Sequence, residues 1–389
     1  MPNHPWRIRL AIIVLAAVAS AQAQITPTFN DVLFAVVPTD AGGVDEQRMD
    51  IYVPPTGAGP FPCVMWIHGG GWQSGTYQNV PPAILALRNQ GFVVVSASYR
   101  LSFEAIFPAQ IHDVKGAVRF LRANAATFSI DPRRIAAWGA SAGGHLVALL
   151  GAAGNVPALE GSSGGNLGFS SRVQVVVDYF GPTDLLNMQL DITDPPGSGL
   201  DHDAANSPES RLVGWDEAGQ GIGDIRANLS NPNAPYPELV QRTISANPIS
   251  WIDASDPPMF IGHGDADRTV PLHQSTRLDS ALAAVGVNRQ YVIVPGAGHG
   301  GIGSVTDPLA VAFIIARIGA EPIDVLGDLN CDGLVSVGDI SGFVLALTNP
   351  TQYRLQFPGC DALLADMNQD GVVSVGDIAG FVALLTSAA

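Results

Sequence analysis

Basic residues are scarce in this sequence: 19 Lys and Arg stand against 35 Asp and Glu, for a net charge of −16, and Lys115 is its one lysine. A chain so acidic offers no cationic surface to a phosphate backbone, which argues against nucleic acid as a partner. Cysteine is scarce as well. Cys63, Cys331 and Cys360 fit an oxidising compartment without amounting to a disulfide scaffold. Cys63, inside the apolar run CVMWI, reads as a core thiol. After the N-terminal segment no apolar run is long enough to span a bilayer.

What is present begins with that N-terminal segment. Arg7 and Arg9 precede the apolar LAIIVLAAVA (10–19) and the small-residue AQA (21–23), the three parts of a signal peptide over residues 1–23. The competing reading, an uncleaved anchor, needs an apolar run of about 20 residues, longer than this one. The expectation is an exported protein, secreted or at the cell surface, that meets the membrane only through its signal peptide.

With 389 residues and 47% hydrophobic side chains, the chain can bury one large core and a smaller unit besides. Eight short apolar runs read as strands: 32–37, 48–53, 63–68, 92–99, 134–140, 173–180, 258–264 and 289–296. Several are apolar throughout, as strands covered on both faces are. Between them, residues 81–91, 111–125, 142–154, 273–286 and 308–320 have helical spacing. The alternation predicts an α/β fold, a mainly parallel sheet flanked by helices, with ligands at the carboxyl ends of the strands. Residues 187–237 interrupt it with Gly, Pro, Asp and Asn, and read as a long irregular excursion over one end of the sheet, either a cover or binding loop or a plain surface loop.

The run 134–140 leads into GASAG (139–143) and then a helix, so Ser141 stands in a strand-turn-helix context. Small residues around it allow a sharp turn whose purpose is to display the hydroxyl. A serine needs a base to take its proton, and in this kind of sheet the chain order is nucleophile, acid, base. Five histidines follow Ser141. His145 reads as local packing, His202 as solvated in the irregular segment, His263 as the residue before a strand-end glycine, and His273 as the start of a helix. His299, in the glycine-rich PGAGHGG after the last strand, is the expected base. Of the two acids in GDAD, Asp267 lies deeper in its loop and is the expected orienter of His299, leaving Asp265 to shape the turn. HGGGW (68–72) follows a strand and frees backbone N–H groups, so Gly70 and Gly71 with Ala142 are the expected oxyanion hole, while His68 orients the loop.

Together IHGGGW, YRLS, IDPRRIAAWGASAGGHLVALLG, VVDYFGPTDL, HGDADRTVPLHQS and VPGAGHG resemble the α/β-hydrolase superfamily, in particular its hormone-sensitive-lipase-like esterases and their acetylxylan and feruloyl esterase branch. The resemblance implies the α/β-hydrolase fold over residues 24–320, carboxylic-ester hydrolysis without a cofactor, and a triad of Ser141, Asp267 and His299. A peptidase or amidase would use the same triad, and a catalytically silent adhesion protein would leave it unexplained.

Residues 321–389 change character. DLNCDGLVSVGDISGFVLAL (328–347) and DMNQDGVVSVGDIAGFVALL (366–385) match at 14 of 20 positions, so this is a module of two copies of one unit. Each copy sets oxygen ligands at the spacing calcium needs: Asp328, Asn330, Asp332, Leu334 (carbonyl), Ser336 and Asp339, then Asp366, Asn368, Asp370, Val372 (carbonyl), Ser374 and Asp377. Loop and following helix without a leading helix resemble a type I dockerin, a small all-α calcium-binding module, which implies a cohesin-type or cell-surface partner. The positions such modules use for recognition carry Val337–Gly338 and Val375–Gly376 here, a departure that puts the partner in doubt. Cys331, expected to face outward in the first loop, and Cys360, before the second, are expected to join the repeats by a disulfide. The substrate expectation is a short acyl ester, such as an acetylated or feruloylated plant polysaccharide, with Trp72, Trp215 and Tyr236 either stacking on its rings or serving packing alone.

Overall fold

The computed structural model describes residues 25–57, 59–192, 199–319, 325–331, 335–357, 360–368 and 372–387. The expected signal peptide, residues 1–23, lies outside them.

All eight expected runs are strands: β1 (Phe29–Pro38), β2 (Val44–Tyr52), β3 (Phe61–Ile67), β4 (Val93–Ala97), β5 (Ile130–Ala140), β6 (Val175–Tyr179), β7 (Met259–Gly264) and β8 (Arg289–Val294). They form one sheet in the order β1-β2-β4-β3-β5-β6-β7-β8. β2 pairs antiparallel with β1 and β4, and every pair from β4 through β8 is parallel.

Two cores explain why these strands lack alternation. Cys63, Met65 and Ile67 of β3 point into one, with Val114, Val118 and Leu121 of the helix Ala109–Ala123 and Leu146, Val147 and Leu150 of the helix Ala142–Ala152. Val64 and Trp66 of the same strand point into the other, with Ile84 and with Phe313 and Ile314 of the helix Gly303–Ile318. A strand with helices on both faces must be apolar at odd and even positions alike. Cys63 is a buried free thiol, as expected, and burial pushes its pKa up. Lys115 is fully buried and pairs with Glu160 at 3.0 Å.

The segment 187–237 is more ordered than its composition suggests. It contains helices Pro208–Leu212 and Ile222–Ala227 and runs into a longer one, Tyr236–Ala246. The last was not legible because its buried face is Leu239, Thr243 and Ala246, correctly spaced but only one of them strongly apolar. Arg226 bonds Asp203, and Arg277, from the helix Leu272–Val285, bonds Asp191 at 2.7 Å, so the segment is tied down at several points.

In the C-terminal region, helices Ile340–Thr348, Pro350–Gln356 and Ile378–Ser387 surround a small core of their own, which includes Leu329, Phe343, Tyr353 and Phe381. Phe343 and Phe381 occupy the same position of the two repeats, and their rings stack at 4.1 Å, nearly parallel. No helix among the described residues is long and apolar enough to cross a membrane.

Candidate active site

Three parallel strands, β5, β7 and β8, lead at their carboxyl ends to the residues of the expected triad, with β6 between the first two. β5 ends at Ala140 and the helix Ala142–Ala152 begins two residues later, leaving Ser141 alone in the turn with φ +57° and ψ −124°. Backbone strain of this kind persists only where the surroundings fix it. Here Ser141 N donates to Tyr179 O (2.8 Å), and Ser141 O accepts from His145 N (2.9 Å). The glycine at 143 is required by space: a Cβ there would lie 2.1 Å from Ile67 O.

β7 leads to Asp267 and β8 to His299. His299 Nδ1 lies 2.7 Å from Asp267 Oδ2. A carboxylate only accepts, so Nδ1 carries the proton, and Nε2 is left to accept from Ser141 Oγ at 3.0 Å. The His299 ring packs edge-on against Phe180, 4.6 Å between centroids. Asp267 Oδ1 takes the backbone N–H groups of Thr269 (2.8 Å) and Val270 (3.0 Å). Burial works to raise the Asp267 pKa, but the hydrogen bonds from His263 and His299 outweigh it and hold the carboxyl well below the usual range. Asp265 is exposed and accepts from Gly296 N at 2.6 Å, shaping the turn.

The glycine loop after β3 closes as a turn in which Gly70 O accepts from Gln73 N and Ser74 N, both at 3.1 Å. Gly70 and Gly71 sit at φ +117° and +60°, and a Cβ on Gly70 would lie 2.1 Å from Ser74 O. Ala142 is the first residue of its helix, so its N–H has no intrahelical acceptor and sits at the positive end of the helix dipole. Gly70, Gly71 and Ala142 line one cavity of about 570 Å³ with Ser141 and His299.

The remaining histidines have other places. His68 Nδ1 donates to Gly69 O at 2.8 Å and its ring stacks on Tyr99, so it braces the loop. His145 Nε2 donates to Ala246 O (2.7 Å), its Nδ1 accepts from Trp72 Nε1 (3.2 Å), and burial pulls its pKa down to about 4. His273 is exposed. His263, fully buried, contacts the expected triad acid: its Nε2 donates to Val270 O (3.0 Å) and lies 3.2 Å from Asp267 Oδ2. Its only sequence signal is that it lies four residues before an aspartate after a strand.

Two expectations need correction. His202 is not solvated. It is 1% exposed and lines the Ser141 cavity beside Glu209, because the segment around it folds back over the sheet end. Trp215 and Tyr236 do not reach that cavity: their rings pack edge-to-face 6.2 Å apart, and both bond Asp224. Of the three aromatics only Trp72 lines the cavity, and it is buried with its N–H held by His145.

In the C-terminal region, Cys331 and Cys360 form a disulfide with Cα atoms 5.8 Å apart. Cys331 is 1% exposed, packed in the small core and not facing outward. Asp339 Oδ1 accepts from Leu329 N (2.8 Å) and Asn330 N (2.9 Å), and its Oδ2 from Ser336 N (2.7 Å). Asp377 repeats this with Asn368 N (3.1 Å) and Ser374 N (2.8 Å), and these backbone bonds lower its pKa. Asp328, Asn330 and Asp366 are buried as well. The expected ligands Asp332, Leu334 and Asp370 lie outside the described residues, and among the described ones no group of three or more His, Cys, Asp or Glu is gathered for a metal. The donors present are all oxygens, with the deeply placed ones fixed by backbone N–H groups, and this fits a hard cation such as calcium.

Residues 49–282 match the BD-FAE family model. The chain belongs to the BD-FAE family. Among curated proteins it is similar to Esterase LipC of Mycobacterium tuberculosis, 30% identical over 62% of this chain and 53% of that protein. The chain spans about half the length of the curated relatives it matches. Among solved structures, a truncated carbohydrate esterase from gut microbiota is 30% identical with a TM-score of 0.62, covering 75% of this chain and 96% of that one. A bifunctional GH43-CE protein of Bacteroides eggerthii is 36% identical with a TM-score of 0.59, over 69% of this chain and 36% of that one. The α/β sheet described above is thus the fold this BD-FAE chain shares with esterases.

Proposed function

We propose that this BD-FAE chain is a serine carboxylic-ester hydrolase that works through an acyl-enzyme. The observation that carries the reading is the continuous contact from Ser141 Oγ through His299 (3.0 Å) to Asp267 (2.7 Å) in a cavity walled by the glycine loop. Ser141 Oγ attacks the ester carbonyl as His299 Nε2 takes its proton. Asp267 holds the resulting imidazolium, and the N–H groups of Gly70, Gly71 and Ala142 receive the oxyanion. His299 then returns the proton to the departing alcohol, and a water repeats the sequence on the acyl-serine.

The substrate class is a short acyl ester on a polysaccharide. The similarity to a gut carbohydrate esterase and a GH43-CE protein supports it. So does the insertion, whose helices pack down on the body through Leu212, Ile222, Ile225 and Leu239. The N-terminal segment directs export. The C-terminal repeats, residues 321–389, form a dockerin-like module that holds calcium with Asp328, Asn330, Asp332, Ser336, Asp339 and their second-repeat counterparts. Bound calcium would offset the charge of these aspartates, and the module would attach the enzyme to a cohesin-type or cell-surface partner, raising its concentration near an insoluble substrate.

The test compares rates on nitrophenyl acetate, acetylated xylan, emulsified triolein and peptide amides. Acetate esters, including the xylan, should be the best substrates. Faster cleavage of triolein would replace the reading with a lipase, and faster cleavage of amides with a peptidase.

A further inference from the structure

The cavity that holds Ser141 and His299 also holds a polar pair that the triad does not use. His202 and Glu209 both line it and are 1% and 2% exposed. His202 Nδ1 lies 3.1 Å from Glu209 Oε1. That approach is a close ionic contact and not an aligned hydrogen bond: His202 Nδ1, like His202 Nε2 and Glu209 Oε2, is buried with no hydrogen-bond partner among the described residues. Groups left in that state cost stability, and a ligand or an ordered water that pairs them restores it.

The fold holds the pair in place. His202 N donates to Gln189 Oε1 (2.8 Å), and Ser207 caps the helix Pro208–Leu212 that carries Glu209, accepting from Ser210 N at 3.1 Å. Pro208 of that helix abuts the glycine loop, 3.4 Å from where a Cβ on Gly71 would stand. The pair therefore sits beside the expected oxyanion hole, where a group attached to the ester would lie.

The chemistry of the two atoms selects their ligand. Glu209 Oε2 can only accept, so it needs a donor. His202 Nδ1 faces a carboxylate and carries a proton, so Nε2 donates when the ring is charged and accepts when it is neutral. Burial pulls the His202 pKa down, but the Glu209 carboxylate 3.1 Å away and the charges of Asp201 and Asp203 more than offset it and leave it raised. A carboxylate ligand would meet Glu209, and an ammonium would leave Nε2 without a partner whenever the ring is charged. Hydroxyls donate and accept without charge, and two hydroxyls on one ring satisfy both atoms. We propose that His202 and Glu209 form a subsite that hydrogen-bonds the hydroxyls of a sugar ring bearing the scissile ester. This rests on the ester-hydrolase reading above.

The test measures kcat/KM on a monoacetylated methyl β-xyloside and on nitrophenyl acetate, whose leaving group has no sugar hydroxyls, in the unaltered full chain and in His202→Gln and Glu209→Gln. The ratio of xyloside ester to nitrophenyl ester should fall tenfold or more in both variants, because a site built for hydroxyls loses its selectivity when its polar groups are altered. Equal losses on the two substrates, or no loss on the xyloside ester, would overturn the subsite while leaving the hydrolase reading intact. An unaltered protein that cleaves neither ester would overturn both. Should a variant fail to fold, inhibition of the unaltered protein decides: methyl β-xyloside should compete with nitrophenyl acetate and tetrahydropyran, the same ring without hydroxyls, should not, and equal or absent inhibition by the two rejects the proposal.

Discussion

His263 Nε2 lies 3.2 Å from Asp267 Oδ2, the same carboxylate oxygen that bonds His299. The acid of the expected triad is thus held by two imidazoles, one buried and one facing the cavity. Asp267 has a folded-state pKa below its unfolded value, so its stabilisation is present above the unfolded carboxylate pKa of about 4 and is lost as pH falls toward the folded value. Replacing His263 with Gln removes part of that support. The melting temperature should drop most near pH 7, and the deficit should shrink below pH 4. A deficit independent of pH would mean that His263 serves packing alone.

The triad assignment makes a graded prediction. Ser141→Ala and His299→Ala should each lower kcat on nitrophenyl acetate by a factor on the order of 10⁴ while remaining folded, with Asp267→Asn costing less. Asp265→Asn should matter little, since that carboxylate is exposed and only closes a turn through Gly296. Steady-state kinetics on the four variants decide it, and near-normal activity in Ser141→Ala would remove the assignment.

Space around the elbow predicts a contrast between two glycines. A Cβ on Gly143 would lie 2.1 Å from Ile67 O, whereas one on Gly298, in the His299 loop, would have its nearest neighbour at 3.8 Å. Gly143→Ala should therefore cost more than about 4 kcal/mol or prevent folding, and Gly298→Ala should melt close to the unaltered protein. Thermal unfolding of both compares them directly, and equal melting temperatures would contradict the packing argument.

Asp178, at the end of β6, gives a pH dependence of opposite sign. It is fully buried, with Oδ1 accepting from Gly181 N at 2.9 Å, and burial pushes its pKa up to about 7. The folded state keeps a proton that the unfolded chain releases near pH 4, so a stability penalty grows between pH 4 and 7 and is complete above 7. Asp178→Asn keeps an acceptor for Gly181 and carries no charge. Its melting temperature should rise relative to the unaltered protein across that window, by roughly 2–4 °C for each kcal/mol relieved. A gain as large at pH 4 as at pH 8 would refute the titration.

For the C-terminal repeats, calorimetry of the full chain should show a transition that moves to higher temperature with calcium and is lost with a chelator, while the sheet domain's transition stays put. Transitions indifferent to both additions would rule out a structural role for the cation.

How far the sequence announced all this differed by region. The central strands were legible because helical layers on both faces make their positions apolar throughout, and Ser141, Asp267 and His299 were legible because each follows a strand within a short glycine-containing turn. His202 and Glu209 carried no such mark. Their burial is imposed by the fold-back of the segment 187–237, and neither periodicity nor turn chemistry encodes where a tied-down excursion comes to rest. Trp215 and Tyr236 misled for the same reason: an aromatic in an irregular segment looks available until its partner, Asp224, is seen. His263 was visible as a residue and silent as a contact, since its bond to Asp267 depends on how the loop after β7 curls.

The placement of the three residues after β5, β7 and β8 has a consequence for how the chain comes to life. Ser141 and His299 are 158 positions apart, and they meet only when the last strand has docked at the sheet's edge. Contacts of such long range are the late and slow ones in folding. An emerging or half-folded chain therefore displays its serine with no base beside it and stays inert. Reactivity toward a serine-directed phosphonate becomes a clock for completion of the sheet, starting when β8 joins.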